Sequence, residues 1–204
     1  MSNMYKKCKK QFIIFLSGLL TLFMLPISAF AYNTFSGHKL INGVGNYGAN
    51  NQTYWIDSTA SVHAGNINTA MSDWIYTSSY NGVSTPISFV QTTTISNSRI
   101  DVYKVTTTND WWGLTQMIND GNSINPETSN WLYTKVLLDS NFGTLSSTSD
   151  DNRQKAVIAH EIGHCMGLAH TTMNTLMRAD IAYCSPGIYR AQANDCDGIN
   201  YLYK

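Results

Sequence analysis

The run His160-Glu161-Ile162-Gly163-His164-Cys165-Met166-Gly167-Leu168-Ala169-His170 constrains the fold more than any other part of the chain. Residues four apart on a helix project from one face, so a helix through this run sets His160 and His164 one turn apart. Two imidazoles at that spacing can reach a single Zn²⁺ at about 2.0–2.1 Å each. Gly167 can take the positive φ that ends a helix, and a chain turned there swings His170 back as a third ligand. Three protein ligands leave the fourth tetrahedral position to water, the arrangement of a catalytic rather than a structural zinc. Glu161 stands about 100° round the helix from His160, close to that water without being a ligand. The bland alternative is an amphipathic helix that happens to carry histidines. Three of the chain's five histidines fall in this one window, which argues against it.

Residues 1–31 are expected to be a signal peptide and stand outside the fold argument. Lys6, Lys7, Lys9 and Lys10 make a positive start, Phe12 to Leu25 an apolar core, and Ala29-Phe30-Ala31 a small-residue cleavage site. The rival is a membrane anchor, but an apolar core of about 14 residues falls short of the roughly 20 that span a bilayer. Cleavage there gives a mature, secreted, extracellular chain beginning at Tyr32, with no stable membrane association. The remaining 32–204 suit one domain with a full hydrophobic core. Losing four of thirteen Lys and Arg leaves nine against thirteen acids, a formal charge of −4. With no basic run after residue 31, nucleic acid is excluded as a partner. A monomer is expected.

Along the chain, residues 32–52 are rich in Gly and Asn and read as a loose N-terminal arm. Strands are expected at Tyr54–Asp57, Ile87–Val90 and Ile100–Val105, the last with period-2 alternation. Ile67 to Tyr76 puts Ile67, Ala70, Met71, Trp74 and Ile75 on one helical stripe. Residues 106–130 read as an irregular surface segment, and Trp131–Leu138 as another strand. Gln154–Leu168 is the helix that carries the histidines, and Ala193–Tyr203 a final helix.

The motif, with Thr175-Leu176-Met177 after it, resembles the metzincin metallopeptidases, whose pattern is HExxHxxGxxH followed by a methionine turn. Within that clan it is most similar to the matrixins. Thr171 follows the third histidine where a Ser is usual, and Asp195-Cys196-Asp197-Gly198-Ile199-Asn200-Tyr201-Leu202-Tyr203 is similar to their terminal helix. The resemblance implies an α+β, zincin-like fold: a mixed twisted sheet with an edge strand over the cleft, an active-site helix, and a small C-terminal subdomain with the Met turn and last helix. It places residues 131–138 as the antiparallel edge strand, and Met177 beneath the metal. It implies a zinc endopeptidase acting on peptide or protein substrates, with His160, His164 and His170 as ligands and Glu161 as general base and acid toward the water on the zinc. A second class, a secreted protein that grips a peptide or surface ligand on the same scaffold without cutting it, needs the histidines at most. The presence of Glu161 favours the enzyme.

Several family features have no counterpart here. Residues 32–52 hold no Cys, Asp or Glu to block the metal, so the secreted form is expected to be active without trimming; His38 could cap the metal but reads more simply as a surface side chain. Arg178-Ala179-Asp180-Ile181 stands where matrixins carry P-x-Y, and Tyr183 is the candidate substitute. The second, structural zinc lacks its histidines, since only His38 and His63 remain outside the motif. Calcium is an open alternative at Asp139, Asp150 and Asp151, which a solvated acidic surface explains as well. Cys165 would pack inside the helix, while Cys184 and Cys196 flank a loop and could pair; three reduced core cysteines is the competing reading.

Overall fold

The computed structural model describes residues 32–108, 111–140, 148–180 and 187–204. Residues 32–204 form one compact unit. The strands and longer helices in chain order are β1 (Asn33–Thr34), β2 (Gln52–Ile56), α1 (Ala64–Ile75), β3 (Phe89–Gln91), β4 (Ile100–Val105), β5 (Gly113–Asn119), β6 (Asn122–Ser123), β7 (Tyr133–Asp139), α2 (Thr148–Cys165), β8 (Leu168–Ala169) and α3 (Ala193–Tyr203), with a single helical turn at Ser78–Asn81 after α1. A short 3₁₀ stretch, Ser58–His63, leads into α1 and is opened by Asp57, whose carboxylate accepts from the Thr59 N–H at 2.8 Å.

Six strands make a mixed sheet in the order β3-β2-β4-β7-β5-β6. The first four run parallel, and β5 runs antiparallel to β7. On the parallel strands Ile100, Val102, Val136 and Leu138 point to one face and are buried there. Helices α1 and α2 cover the core, α1 with Ile67, Ala70, Met71 and Trp74, and α2 with Ile158 and Ile162. Each such large apolar side chain, fully buried, contributes about 1.5–3 kcal/mol. Two indoles lock α2 in place. Trp74 Nε1 donates to the Ala159 carbonyl at 2.8 Å, and Trp131 Nε1 to that of Cys165 at 2.9 Å. This gives the zincin-like α+β architecture, with α2 carried directly beneath the sheet.

Three expectations need correction. Residues 131–138 do not form the edge strand: β7 lies inside the sheet, paired with β4 on one side and β5 on the other. The antiparallel strand is β5, within the segment read as irregular. It pairs with β7 from Gly113↔Leu138 to Ile118↔Tyr133, while β6 covers only Ile118 and Asn119. The arm at 32–52 is pinned rather than loose. β1 pairs antiparallel with β8, Leu40 bridges to Trp131, and Leu40 and Val44 are buried. Smaller shifts occur at boundaries: the third strand is Phe89–Gln91, and α2 starts earlier than read and ends at Cys165. No helix among the described residues is long and apolar enough to cross a membrane.

Candidate metal centre and catalytic cleft

Helix α2 carries His160 and His164 on one face, and the chain turns at Gly167 with φ 108°. A Cβ at Gly167 would lie 2.8 Å from the His38 carbonyl oxygen and from Leu202 Cδ1, so both the sign of φ and the close packing require glycine. Beyond the turn, β8 leads to His170. Its Nε2 lies 3.1 Å from Nε2 of His160 and 3.2 Å from Nε2 of His164. The opposite ring nitrogens are committed elsewhere. His160 Nδ1 donates to the Leu176 carbonyl and His164 Nδ1 to the Leu168 carbonyl, each at 2.7 Å. With the proton on Nδ1, the Nε2 atoms of these two rings present bare lone pairs to a common point. Two nitrogens that each bind Zn²⁺ at about 2.0–2.1 Å with near-tetrahedral angles stand about 3.3 Å apart, so the spacing fits that ion.

Burial supports the same protonation state. It pulls the His160 imidazole down to about 4, takes His164 well below its ordinary range, and lowers the more exposed His170 as well. Neutral imidazole is the ligand form. Among the described residues these three histidines are the one cluster of three or more such groups able to hold an ion. His63 is buried at the start of α1 and His38 lies on the arm; neither joins the cluster. Of the acids considered for calcium, Asp139 is buried and accepts from the Thr107 N–H at 3.2 Å, while Asp151 pairs with Lys155 at 2.7 Å. Neither belongs to an ion-holding cluster of three or more groups.

The floor under the histidines is the Thr175–Met177 turn. Met177 is buried, and its sulfur passes so close to α2 that a Cβ on Gly163 would meet it at 2.4 Å. The turn is tied at both ends: the Thr171 N–H donates to the Met177 carbonyl at 3.0 Å, and Asp195 of α3 accepts from the N–H groups of Leu176 at 3.1 Å and Met177 at 3.3 Å. Asp195 also closes the capping box of its own helix through the Gln192 N–H at 2.8 Å. Burial raises its carboxyl pKa, against which these donors pull. From the other side the N-terminal segment clasps the ligand loop. Asn33 Nδ2 donates to the His170 carbonyl at 2.7 Å, the Phe35 N–H donates to that of Gly167 at 3.2 Å, and the Phe35 ring packs tilted against His164, centroids 5.6 Å apart.

Glu161 is buried, and its carboxyl is pushed up to about 7 by that burial, opposed by a hydrogen bond from Thr115. Its side chain lies against β5, where Gly113 leaves room: a Cβ there would be 2.8 Å from Glu161 Cγ and 2.9 Å from Oε1. Glu161 and the three histidines open into a cleft of about 640 Å³, walled above by Trp112 to Met117 and flanked by Phe35, Ile124 and Val157. Among the described residues no strand pairs with the outer edge of Gly113–Gln116. Of the segment after the Met turn, Ala179 reaches the cleft, whereas Ile181 and Tyr183 lie outside the described residues.

The structure brings His160, His164 and His170 together with Glu161 in one cleft and sets Met177 against Gly163 of the same helix. The sequence pattern did not single out Gly113, Thr115, Asn33, Phe35 or Asp195 for the site. Only Asp195 carried a local signal, the acid three residues into a helix. The others arrive by strand register and turn geometry. Cys165 is fully buried with its thiol pushed up to about 12, so it packs as a small apolar group. Cys196 is a buried thiol approached by Asn81 Nδ2 at 3.3 Å; its expected partner Cys184 lies outside the described residues.

Three convergent imidazoles on a helix and its following turn, a carboxylate beside them and a cleft under a sheet edge define the class of zinc metallopeptidases. The family model described as Matrixin matches residues 47–204. The chain belongs to the matrixin family and shares its zinc dependence. No curated protein matches the chain.

Proposed function

We propose that the chain is a secreted endopeptidase that hydrolyses internal peptide bonds, with Glu161 moving the proton. The observation that carries this reading is the burial of Glu161 in the cleft that the three histidines also line. His160, His164 and His170 would hold the zinc ion, which would supply Lewis acidity toward a water and a peptide carbonyl. Glu161 accepts the proton of the attacking water and passes it to the leaving amine. A carboxyl raised to about 7 suits both directions of transfer near neutral pH. The edge of β5 at Gly113–Gln116, which no strand pairs among the described residues, offers N–H and C=O groups to an extended peptide, which adds to the sheet as another strand across the histidines. Val157, Trp112 and Leu114 then give that peptide an apolar wall.

Glu161→Gln tests the reading. The variant keeps side-chain volume and all three ligands, so metal content stays at one zinc per chain. Cleavage of an unfolded protein falls at least about a hundredfold, the usual loss for a positioned general base. Equal rates in variant and wild type overturn the role of Glu161. A wild-type protein that binds zinc and cuts no unfolded protein is a binding scaffold instead. Export is read from residues 1–31; N-terminal sequencing of protein from the culture medium should return Tyr32, active as exported.

A further inference from the structure

We infer that Thr115 is a positioning residue for the reaction: its hydroxyl, from the edge strand, fixes the rotation of the Glu161 carboxylate. The inference rests on the proposed role of Glu161 and adds to it a residue outside the histidine motif.

Thr115 Oγ1 lies 2.7 Å from Glu161 Oε2 and 3.0 Å from the Glu161 carbonyl oxygen. A hydroxyl has one proton to donate, and the shorter contact to the more negatively charged acceptor takes it. One carboxylate oxygen is thereby anchored to β5. The other, Oε1, lies beside Gly113, where the absence of a side chain lets the strand pass close to the carboxyl. A carboxylate is symmetric about its last bond and rotates broadly there unless something binds it. Proton transfer demands one oxygen at hydrogen-bond distance from the water, so anchoring the first oxygen presents the second.

The strand order explains why this residue holds the position. β5 is locked to β7 by the pairs Thr115↔Val136 and Met117↔Thr134, and β7 sits inside the sheet. Side chains alternate along a strand, so Gly113, Thr115 and Met117 share one face. Gly113 and Thr115 both meet Glu161 from that face, while Met117 is buried. Neighbouring Leu114 and Gln116 point the other way. The same strand that offers its outer edge to a peptide therefore sets the orientation of the base. Binding register and proton transfer share one rigid element.

The test compares Thr115→Val, which removes the hydroxyl at nearly constant shape, with Thr115→Ser, which keeps it. Thr115→Ala serves as a second hydroxyl-free variant should Val disturb the packing. Each is assayed for zinc per chain, Tm, kcat and KM on one peptide substrate. Thr115→Val should keep one zinc and a KM within about threefold of wild type, with kcat down about ten- to hundredfold, the range for losing a hydrogen bond to a charged group. Thr115→Ser should restore most of kcat. Wild-type kcat in both hydroxyl-free variants overturns the inference, as does a loss confined to KM, or a Ser variant as impaired as Val. Glu161→Gln assayed alongside separates the two ideas. An active Glu161→Gln refutes the base itself, whereas an inactive one beside a fully active Thr115→Val refutes only the positioning.

Discussion

At the residue scale, the histidines and Glu161 sit in the same buried site and respond to burial in opposite directions. His160 is lowered from 6.5 to about 4, so between those values the unfolded chain binds a proton that the fold excludes, and stability falls as pH drops. Glu161 is raised from 4.5 to about 7, so in that window the fold keeps a proton the unfolded chain has released, and its contribution falls as pH rises. Glu161→Gln deletes the second dependence and leaves the first. In metal-stripped protein the variant should gain stability over wild type on going from pH 5 to pH 8, by at most on the order of 3 kcal/mol. Thermal melts at the two pH values check it. A difference that stays constant or shrinks would mean the carboxyl is not buried as described.

At the element scale, α2 owes its place to what passes beneath it. Gly163 lies inside a helix, where Gly→Ala ordinarily stabilises by up to about 1 kcal/mol. Here the added methyl would meet the Met177 sulfur at 2.4 Å and Trp74 Cζ2 at 3.2 Å. Overpacking of this kind costs about 1–3 kcal/mol. Gly163→Ala should therefore lower the denaturant midpoint, and in a Met177→Ala background, where the sulfur is gone, it should become neutral or favourable. Loss of stability in both backgrounds would rule out Met177 as the cause. The same scale shows what could be read from sequence. The period of α1 and the alternation of Ile100–Val105 are local, and both elements stand where the pattern put them. Gly113–Asn119, Gly-Leu-Thr-Gln-Met-Ile-Asn, has few β-branched residues and starts on a glycine. It is a strand because β7 pairs with it, and that pairing is non-local. Whether β7 is central or an edge is likewise fixed by partners far away in sequence. The histidines were legible because helix spacing sets two of them, while Thr115 reaches Glu161 across 46 residues by register alone.

At the scale of the whole molecule, the metal site lies where the sheet and its helices meet the loop from Gly167 to Met177. The sheet and α1 contribute Ile67, Trp74, Ile100, Val102, Val136 and Leu138 to the apolar core, which Leu168, Leu176 and Met177 of the metal loop join at its margin. Between those buried anchors the loop from Gly167 to Met177 is held by polar ties: β1 to β8, Asn33 to His170, Thr171 to Met177, and Asp195 to the turn. A zinc that binds the fold and not the unfolded chain stabilises by mass action, and its share falls on the segment that supplies His170. Chelation should lower Tm by several degrees and leave a folded domain. Hydrogen exchange should then quicken at residues 167–177 and at Asn33–Phe35, while amides of β4 and β7 remain protected. Exchange that quickens equally across the sheet would show instead that metal binding and global folding are one transition. The distinction bears on function, since the edge strand β5 would keep its shape in the apo-protein and could bind peptide before the metal is loaded. Peptide affinity measured on chelated protein should accordingly stay within about tenfold of that of zinc-loaded Glu161→Gln. A loss far beyond that would place most of the binding on the metal and its loop rather than on the strand.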